Sequence, residues 1–444
     1  MKLAFLGQSY KASTPAVEAT EMTETATFLG KSYTRKQYTV QQRQRPTSEM
    51  TYLGPRQTRT SANIRQTHQV IHHTHYIPHL GNLELAFNPG NTLIYQEPSL
   101  QTKAFEDRFS LTHGADGTVV AIVVDGVGEN YTHSVARTMY AFGNTQRVLG
   151  DIPGLILMQT FEAVAKYRPQ RLQSSEGIRG VIDDANSHYL DWLCQAGLGD
   201  RLSDHKEQLG GCTFVIAVIT SPSPSRDRQV LLLSAGDAVG VAQTATHQLV
   251  GTDNQLLATN AVFQPVQNWL QATLAQFGAT SANQDMQRAI FNPFAQRWFR
   301  NRLTNQSLVK VSDADRVAFI DSVQAVLERF EYLSNDQRRE ITHQLSAYLP
   351  IHLPGYGFFD ANPAVVQHLS IAEIPFARMN HGTVIIATDG CIDSRSPTPA
   401  HTRNTLFQTY LDGGIAGLVN YNQTIDKGPE ATAIVLRLPV PVLV

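Results

Sequence analysis

A continuous β-branched apolar run, Gly117-Thr118-Val119-Val120-Ala121-Ile122-Val123-Val124, closes on Asp125-Gly126. Such a run predicts a buried strand that delivers a carboxylate at its tip. Far downstream, Gly382-Thr383-Val384-Ile385-Ile386-Ala387-Thr388 closes in the same way on Asp389-Gly390, with Asp393 three residues past the glycine. A glycine after each aspartate lets the backbone turn sharply and brings its carbonyl within reach of a ligand. Hard divalent cations favour oxygen ligands of this kind, carboxylate and carbonyl, held on rigid strand ends.

The same alternation of apolar and polar positions predicts the rest of the order. Short strands are expected at 83–87, 92–95 and 105–111, with Gly114-Ala115-Asp116-Gly117 as a hairpin turn into the run that ends at Asp125. Helical spacing follows over 152–168, through Leu155, Leu157, Met158, Phe161 and Val164. It recurs over 180–195, through Val181, Tyr189, Trp192 and Leu193. Two more strands, 213–219 and 229–237, flank a Ser/Pro-rich loop at 220–226 and predict another hairpin. Residues 255–348 read as predominantly helical. There Ser312 with Asp315, and Ser334 with Gln337, have the spacing of helix N-caps, and the block reads as an insertion capping one side of the domain. Strands over 382–389 and 431–438 close the pattern, with a helix near 402–411 between them and an apolar edge strand at 440–444.

The first 80 residues differ in texture and are expected to form a separate arm and linker, leaving 81–444 as the main domain. Phe5-Leu6-Gly7-Gln8-Ser9-Tyr10, Phe28-Leu29-Gly30-Lys31-Ser32-Tyr33 and a weaker Tyr52-Leu53-Gly54 recur at intervals of 23 and 24 residues. A near-constant period predicts one small repeated unit, a β-hairpin or short strand with an aromatic-Leu-Gly turn. These units weakly resemble short repeats of unknown function at the start of many cyanobacterial proteins. Residues 1–66 hold ten Lys/Arg against four Glu, a local balance of +6, so the remainder carries −8. A solvated basic tail is the plain reading. The histidines His68, His72, His73, His75 and His79 then alternate with other residues as in a strand or an extended linker.

Composition narrows the function. The chain has 444 residues, 42% of them hydrophobic, enough for a full catalytic domain with a real core. Its net charge of −2 gives no global signature of a nucleic-acid or membrane-surface binder. No apolar run approaches the roughly 20 residues of a membrane helix, and the amino terminus is too poor in apolar residues for a signal peptide, so a cytoplasmic location is expected. Cys194, Cys212 and Cys391 each lie in or beside an apolar segment, as buried thiols of a reducing compartment do.

The chemistry-bearing residues are the acids at strand ends: Glu106, Asp107, Asp125, Asp237, Asp389 and Asp393. Gathered on one sheet edge, so many like charges would require neutralising cations, and Mg2+ or Mn2+ suits oxygen donors. Phe105-Glu106-Asp107-Arg108, Val124-Asp125-Gly126-Val127-Gly128, Gly211-Cys212-Thr213, Ser234-Ala235-Gly236-Asp237-Ala238, Ala387-Thr388-Asp389-Gly390-Cys391-Ile392-Asp393 and Glu430-Ala431-Thr432 resemble, in order, the motifs of the metal-dependent protein phosphatases of type 2C. The likeness covers about residues 83–438.

The resemblance implies an α+β fold, a four-layer αββα sandwich of two antiparallel sheets flanked by helices, carrying the helical insertion at about 255–348. It implies two Mn2+ or Mg2+ ions, with a third and weaker one, and a water held between the first two that attacks phosphorus in line. Asp125 would bridge the ions, the Gly126 carbonyl would bind one and Asp389 the other. Glu106 and Asp107 would orient waters on the ions, while Asp237 and Asp393 would favour the third. The implied reaction is hydrolysis of phosphoserine or phosphothreonine in a phosphorylated protein substrate.

Three departures are visible. Thr102 stands where many members carry a phosphate-binding arginine, leaving Lys103 beside it as a point charge without the bidentate fork. Val127 occupies a position where animal members place a histidine. Pro429 stands where an aspartate normally supplies the last ligand, so Glu430 or Asp426 would have to reach the ion. A catalytically degenerate pseudophosphatase that binds a regulatory partner is therefore the alternative, and hydrolysis of small phosphoesters a third reading. The sequence says nothing of oligomeric state.

Overall fold

In the computed structural model of the protein, the described residues are 2–5, 8–11, 18–28, 31–39, 71–77, 81–88, 107–127, 139–204, 209–222, 227–276, 304–328, 331, 333–349, 351–379, 382–392, 398–421 and 431–438. They divide into two compact units, Met1–Asn63 and Ile64–Val444. In the first, β1 (Lys2–Phe5) pairs with β2 (Gln8–Lys11), and β3 (Glu18–Phe28) with β4 (Lys31–Thr39). The registers set Phe5 opposite Gln8 and Phe28 opposite Lys31. The aromatics of the first two repeats, Phe5 and Phe28, thus close the first strand of a hairpin, and the third repeat lies outside the described residues.

The second unit opens with β5 (Ile71–Ile77), which carries His72, His73 and His75 and pairs with β6 (Gly81–Asn88). Of the histidine tract, His72, His73 and His75 lie on this edge strand, while His68 and His79 lie outside the described residues. Next come β7 (Arg108–His113), β8 (Val119–Val127) and a hairpin of β9 (Met139–Phe142) with β10 (Thr145–Val148). Two long helices follow, α1 (Ile152–Tyr167) and α2 (Ser175–Gln195). Ser174 caps α2 by accepting from the Gly177 backbone N–H at 3.2 Å, which starts that helix five residues before the apolar spacing predicts.

The strand rhythm resumes in β11 (Gly211–Ile219), β12 (Gln229–Ala235), β13 (Val239–Gln243) and β14 (Leu249–Gly251). After the insertion come β17 (Ser370–Pro375), β18 (Thr383–Ala387), α6 (Pro399–Asn420) and β19 (Ala431–Arg437). Inside it lie α3 (Leu256–Gln276), β15 (Leu308–Lys310), α4 (Asp313–Leu327), α5 (Asn335–Tyr348) and β16 (His352–Pro354).

Two antiparallel sheets result. The first has the order β17-β12-β11-β8-β7 and the second β14-β13-β18-β19-β6-β5. Alternation along each strand decides what each face touches. Val120, Ile122 and Val124 of β8 pack with Phe214 and Ile216 against α1 and α2. Val119, Ala121 and Val123 face the other way and meet Val384, Ile386, Ile434 and Leu436 of the second sheet. The outer face of that sheet, Ile385, Ala433 and Val435, is covered by Leu406, Phe407, Tyr410 and Leu418 of α6. Helix, sheet, sheet, helix is the layer order, and it is an α+β fold. Every residue of β11 is buried, as a strand lying between two apolar layers must be. Each fully buried valine, leucine or isoleucine contributes about 1.5–3 kcal/mol to holding the layers together.

The insertion has an apolar cluster of its own, with Val266, Leu270, Phe319, Val323, Ile341 and Leu345 at its centre. Ser312 accepts from the Asp315 N–H, and Ser334 with Gln337 forms the reciprocal capping box that the spacing predicts. Beside its helices α3, α4 and α5, the short strands β15 and β16 pair with each other. The helix expected near 402–411 is longer and is broken at Gly414, whose φ is 61°. The expected strands at 92–95 and 440–444 lie outside the described residues.

Candidate functional site

Strand direction decides which acids share an edge. β8 runs antiparallel to β7 and β11, and β12 antiparallel to β11, so the end of β8, the start of β7 and the end of β12 fall together. In the second sheet the end of β18 meets the starts of β13 and β19 by the same logic. Asp107, Asp125, Asp237 and Asp389 all stand at this one edge of the sandwich. β8 also packs against β18 and β19 across the interior, which sets the two halves of the edge face to face.

Asp107 precedes β7. The pair Arg108 with Val124 sets Asp107 beside Asp125 one step along the ladder, and the parity of β8 turns both toward the second sheet. Asp107 is 1% exposed, and one oxygen of its carboxylate takes two hydroxyl hydrogen bonds. Oδ2 accepts from the Thr388 hydroxyl at 3.0 Å and from the Thr432 hydroxyl at 2.8 Å. Thr388 Oγ1 accepts in turn from the Thr432 N–H at 2.9 Å. Hydrogen bonds to a charged group contribute about 1.5–3 kcal/mol each, so this carboxylate fastens the first sheet to the last two strands of the second.

The backbone of Asp107 is held as well. Arg108 donates from Nη1 to the Asp107 carbonyl at 2.7 Å, and its Nη2 pairs with Asp151 Oδ1 at 2.7 Å. Asp151 is buried just before α1. Burial pushes its carboxyl above the ordinary carboxylate range, with the charges of Arg108 and Arg147 pulling the other way.

Asp389 opens a short turn, Asp389–Cys391, directly after β18, and its carbonyl accepts from the Ile392 N–H at 2.9 Å. The Cys391 thiol behind it is buried and lies well above its usual range, first through burial and then through the charges of Asp107 and Asp389. One thiol thus feels both carboxylates.

Asp237 sits on the turn that carries the chain from β12 in one sheet to β13 in the other. Gly236, at φ +80°, makes that turn. A Cβ there would lie 2.3 Å from Thr213 Cγ2. Gln255, at the root of the insertion, secures the turn: its Oε1 accepts from the Gly236 N–H at 3.0 Å and the Gly357 N–H at 2.8 Å, and its Nε2 donates to the His368 carbonyl at 2.5 Å. The far root of the insertion reaches the same edge, where Phe359 and Cys212 exchange two backbone hydrogen bonds of 3.0 Å.

Thr213 is the register partner of Asp125. It is 4% exposed, and its hydroxyl has no hydrogen-bond partner. Leaving a buried hydroxyl unsatisfied costs about 1–3 kcal/mol. Among the described residues, no three His, Cys, Asp or Glu side chains group closely enough to hold a metal ion. Lys103, Glu106, Asp393 and Glu430, with Thr102, Asp426 and Pro429, lie outside the described residues. The donors that are described fit a hard divalent cation in kind: carboxylate oxygens at one edge, a backbone carbonyl at Gly126 and an unsatisfied hydroxyl among them.

The strand-end rule singled out Asp107, Asp125, Asp237 and Asp389, which share this edge, but not their neutral partners. Thr388 and Thr432 stand in the motifs quoted for their neighbours, yet nothing in the pattern says that both hydroxyls turn to Asp107. Gln255 and Asp151 carry no sequence signal.

No protein-family model and no curated protein matches this chain. Among solved structures it is similar to a bacterial serine phosphatase, at 10% identity and a TM-score of 0.40, over 81% of this chain and 99% of that one. It is similar to RsbX in complex with magnesium, at 10% identity and a TM-score of 0.37, over 83% of this chain and 100% of that one. A serine/threonine phosphatase from S. agalactiae is 12% identical, with a TM-score of 0.37, over 80% of this chain and 99% of that one. Among the described residues, no helix is long and apolar enough to cross a membrane.

Proposed function

We propose that the protein is a metal-dependent phosphomonoester hydrolase acting on phosphoserine or phosphothreonine in a protein. The observation that carries this reading is the convergence of Asp107, Asp125, Asp237 and Asp389 on one edge of the sandwich, reached from both sheets. Asp125, Asp389 and the Gly126 carbonyl would hold two Mn2+ or Mg2+ ions. Asp237 with Asp393 would favour a third. Bound cations would supply an activated water and offset charge on the attacking and leaving oxygens. The chain's own part is to hold the carboxylates rigidly: Asp107 through Thr388 and Thr432, the Asp237 turn through Gln255. Glu106 and Asp107 would orient water, Lys103 would attract the phosphate, and Glu430 would stand in for the ligand missing at Pro429.

The test is hydrolysis of a chromogenic phosphate ester by the purified full chain with Mn2+. Wild type should turn over, and Asp125→Ala and Asp389→Ala should lose activity. Equal rates in all three would sink the catalytic reading. The second reading, a pseudophosphatase that binds a phosphoprotein or regulatory partner, is motivated by Pro429, which stands where the family resemblance expects the last ligand aspartate. Metal binding without turnover in wild type would select it.

A further inference from the structure

We infer that the Thr213 hydroxyl is a positioning group for the cation site, and this rests on the reading just given. Two side-chain hydroxyls among the described residues are buried without a hydrogen-bond partner, those of Thr213 and Ser234. They are neighbours in the fold. Thr213 pairs with Asp125 on β8, and the ladder that sets Phe214 opposite Ala235 and Val215 opposite Ser234 brings Gly236 opposite Thr213. The parity that sends Val215 and Leu232 into the space between the sheets sends Thr213 and Ser234 there too. Both hydroxyls therefore line the inner face, Thr213 in the row of Asp125 and Ser234 one row deeper.

The shape of Thr213 limits what its hydroxyl can do. Its Cγ2 is packed so closely over Gly236 that any Cβ at that glycine would collide with it. With the methyl occupied there, the hydroxyl is left on the remaining side of a stiff β-branched carbon and has no protein acceptor. Valine has the same outline and no polar atom to strand, so packing alone gives no reason for a hydroxyl here. The partner that satisfies it is the hydrated coordination shell of a divalent cation held by Asp125, its neighbour across the ladder. Ser234, 0% exposed, extends the same polar lining inward. Groups in this supporting position orient the ligands that touch a metal, and their loss commonly lowers metal affinity by about 10–100-fold.

Calorimetric titration of Mn2+ into the full chain tests this without reference to activity. Thr213→Val should weaken binding by about 10-fold or more, while Thr213→Ser stays near wild type. Thr213→Ala serves alongside in case valine disturbs the strand, because alanine and serine both lose the methyl and only alanine loses the hydroxyl. Equal Mn2+ affinity in the alanine and serine variants, with Asp125→Asn binding abolished, overturns the role of Thr213 and leaves the cation site standing. Wild-type binding by Asp125→Asn would instead overturn the reading beneath it.

Discussion

The carboxylate of Asp107 accepts a hydrogen bond of 2.8 Å from the hydroxyl of Thr432, a residue 325 positions away on the opposite sheet. The bond joins the head of β7 to the head of β19, and both groups are buried. Removing the hydroxyl leaves a buried carboxylate with one donor fewer, while the bond from Thr388 remains. Thr432→Val should cost about 1.5–3 kcal/mol of stability, read from urea denaturation. Thr432→Ser should recover most of it. A valine variant as stable as wild type would mean that the contact does not fasten the sheets.

The long elements were legible in the sequence for a physical reason. β8, β11 and β18 lie between apolar layers, so their runs are continuous and end abruptly at Asp-Gly or a loop. The amphipathic spacing of α1 reflects one face packed on β8 and β11, and Gly154 fits where Val124 comes closest, 3.1 Å from its Cβ position. β13, β14 and β17 escaped notice because strands of three to six residues offer too few positions to show a period. β15 and β16 are paired across more than forty residues, a non-local choice that no local pattern encodes. At the site, aspartates stood out because a charge at a strand tip is unusual. Threonines and a glutamine did not, since their roles at Asp107 and Gly236 arise only when separate strands meet.

Gly236 is irreplaceable on two counts. Its φ of +80° is strained for any residue with a Cβ, and that Cβ would fall 2.3 Å from Thr213 Cγ2. A left-handed backbone costs about 1–2 kcal/mol, and forced overpacking about 1–3 kcal/mol more. Gly236→Ala should therefore lose about 2–5 kcal/mol by chemical denaturation. Pairing it with Thr213→Ser, which deletes the colliding methyl, should restore part of the loss. Additive losses in the double variant would show that the two side chains do not compete for this space.

Gln255 bridges three segments with one amide. Gln255→Leu would leave the Gly236 and Gly357 N–H groups without their acceptor, and each unsatisfied donor costs about 1–3 kcal/mol. A loss of about 2–4 kcal/mol is expected on thermal or urea unfolding. Gln255→Glu keeps an acceptor for both N–H groups and forfeits only the bond to the His368 carbonyl. It should be the milder change, and a leucine variant no worse than the glutamate one would refute the bridging role.

Asp151 gives the chain a component of stability whose pH dependence is opposite to that of most carboxylates. Its folded-state pKa lies above the ordinary value of 3.8, chiefly because burial disfavours the charged form. The folded chain therefore takes up this proton before the unfolded chain does, and protonation favours folding. That contribution is complete below the unfolded value and is lost as pH rises through the higher folded value. Asp151→Asn cannot titrate, so the stability difference between wild type and variant isolates the effect. The difference should shift in favour of wild type as pH falls from neutrality toward 4, even as both proteins weaken through their other acids. Urea denaturation of the pair across that range measures it. A difference that moves toward the variant on acidification would show that the Arg108 pairing outweighs burial and holds the Asp151 pKa below the ordinary value.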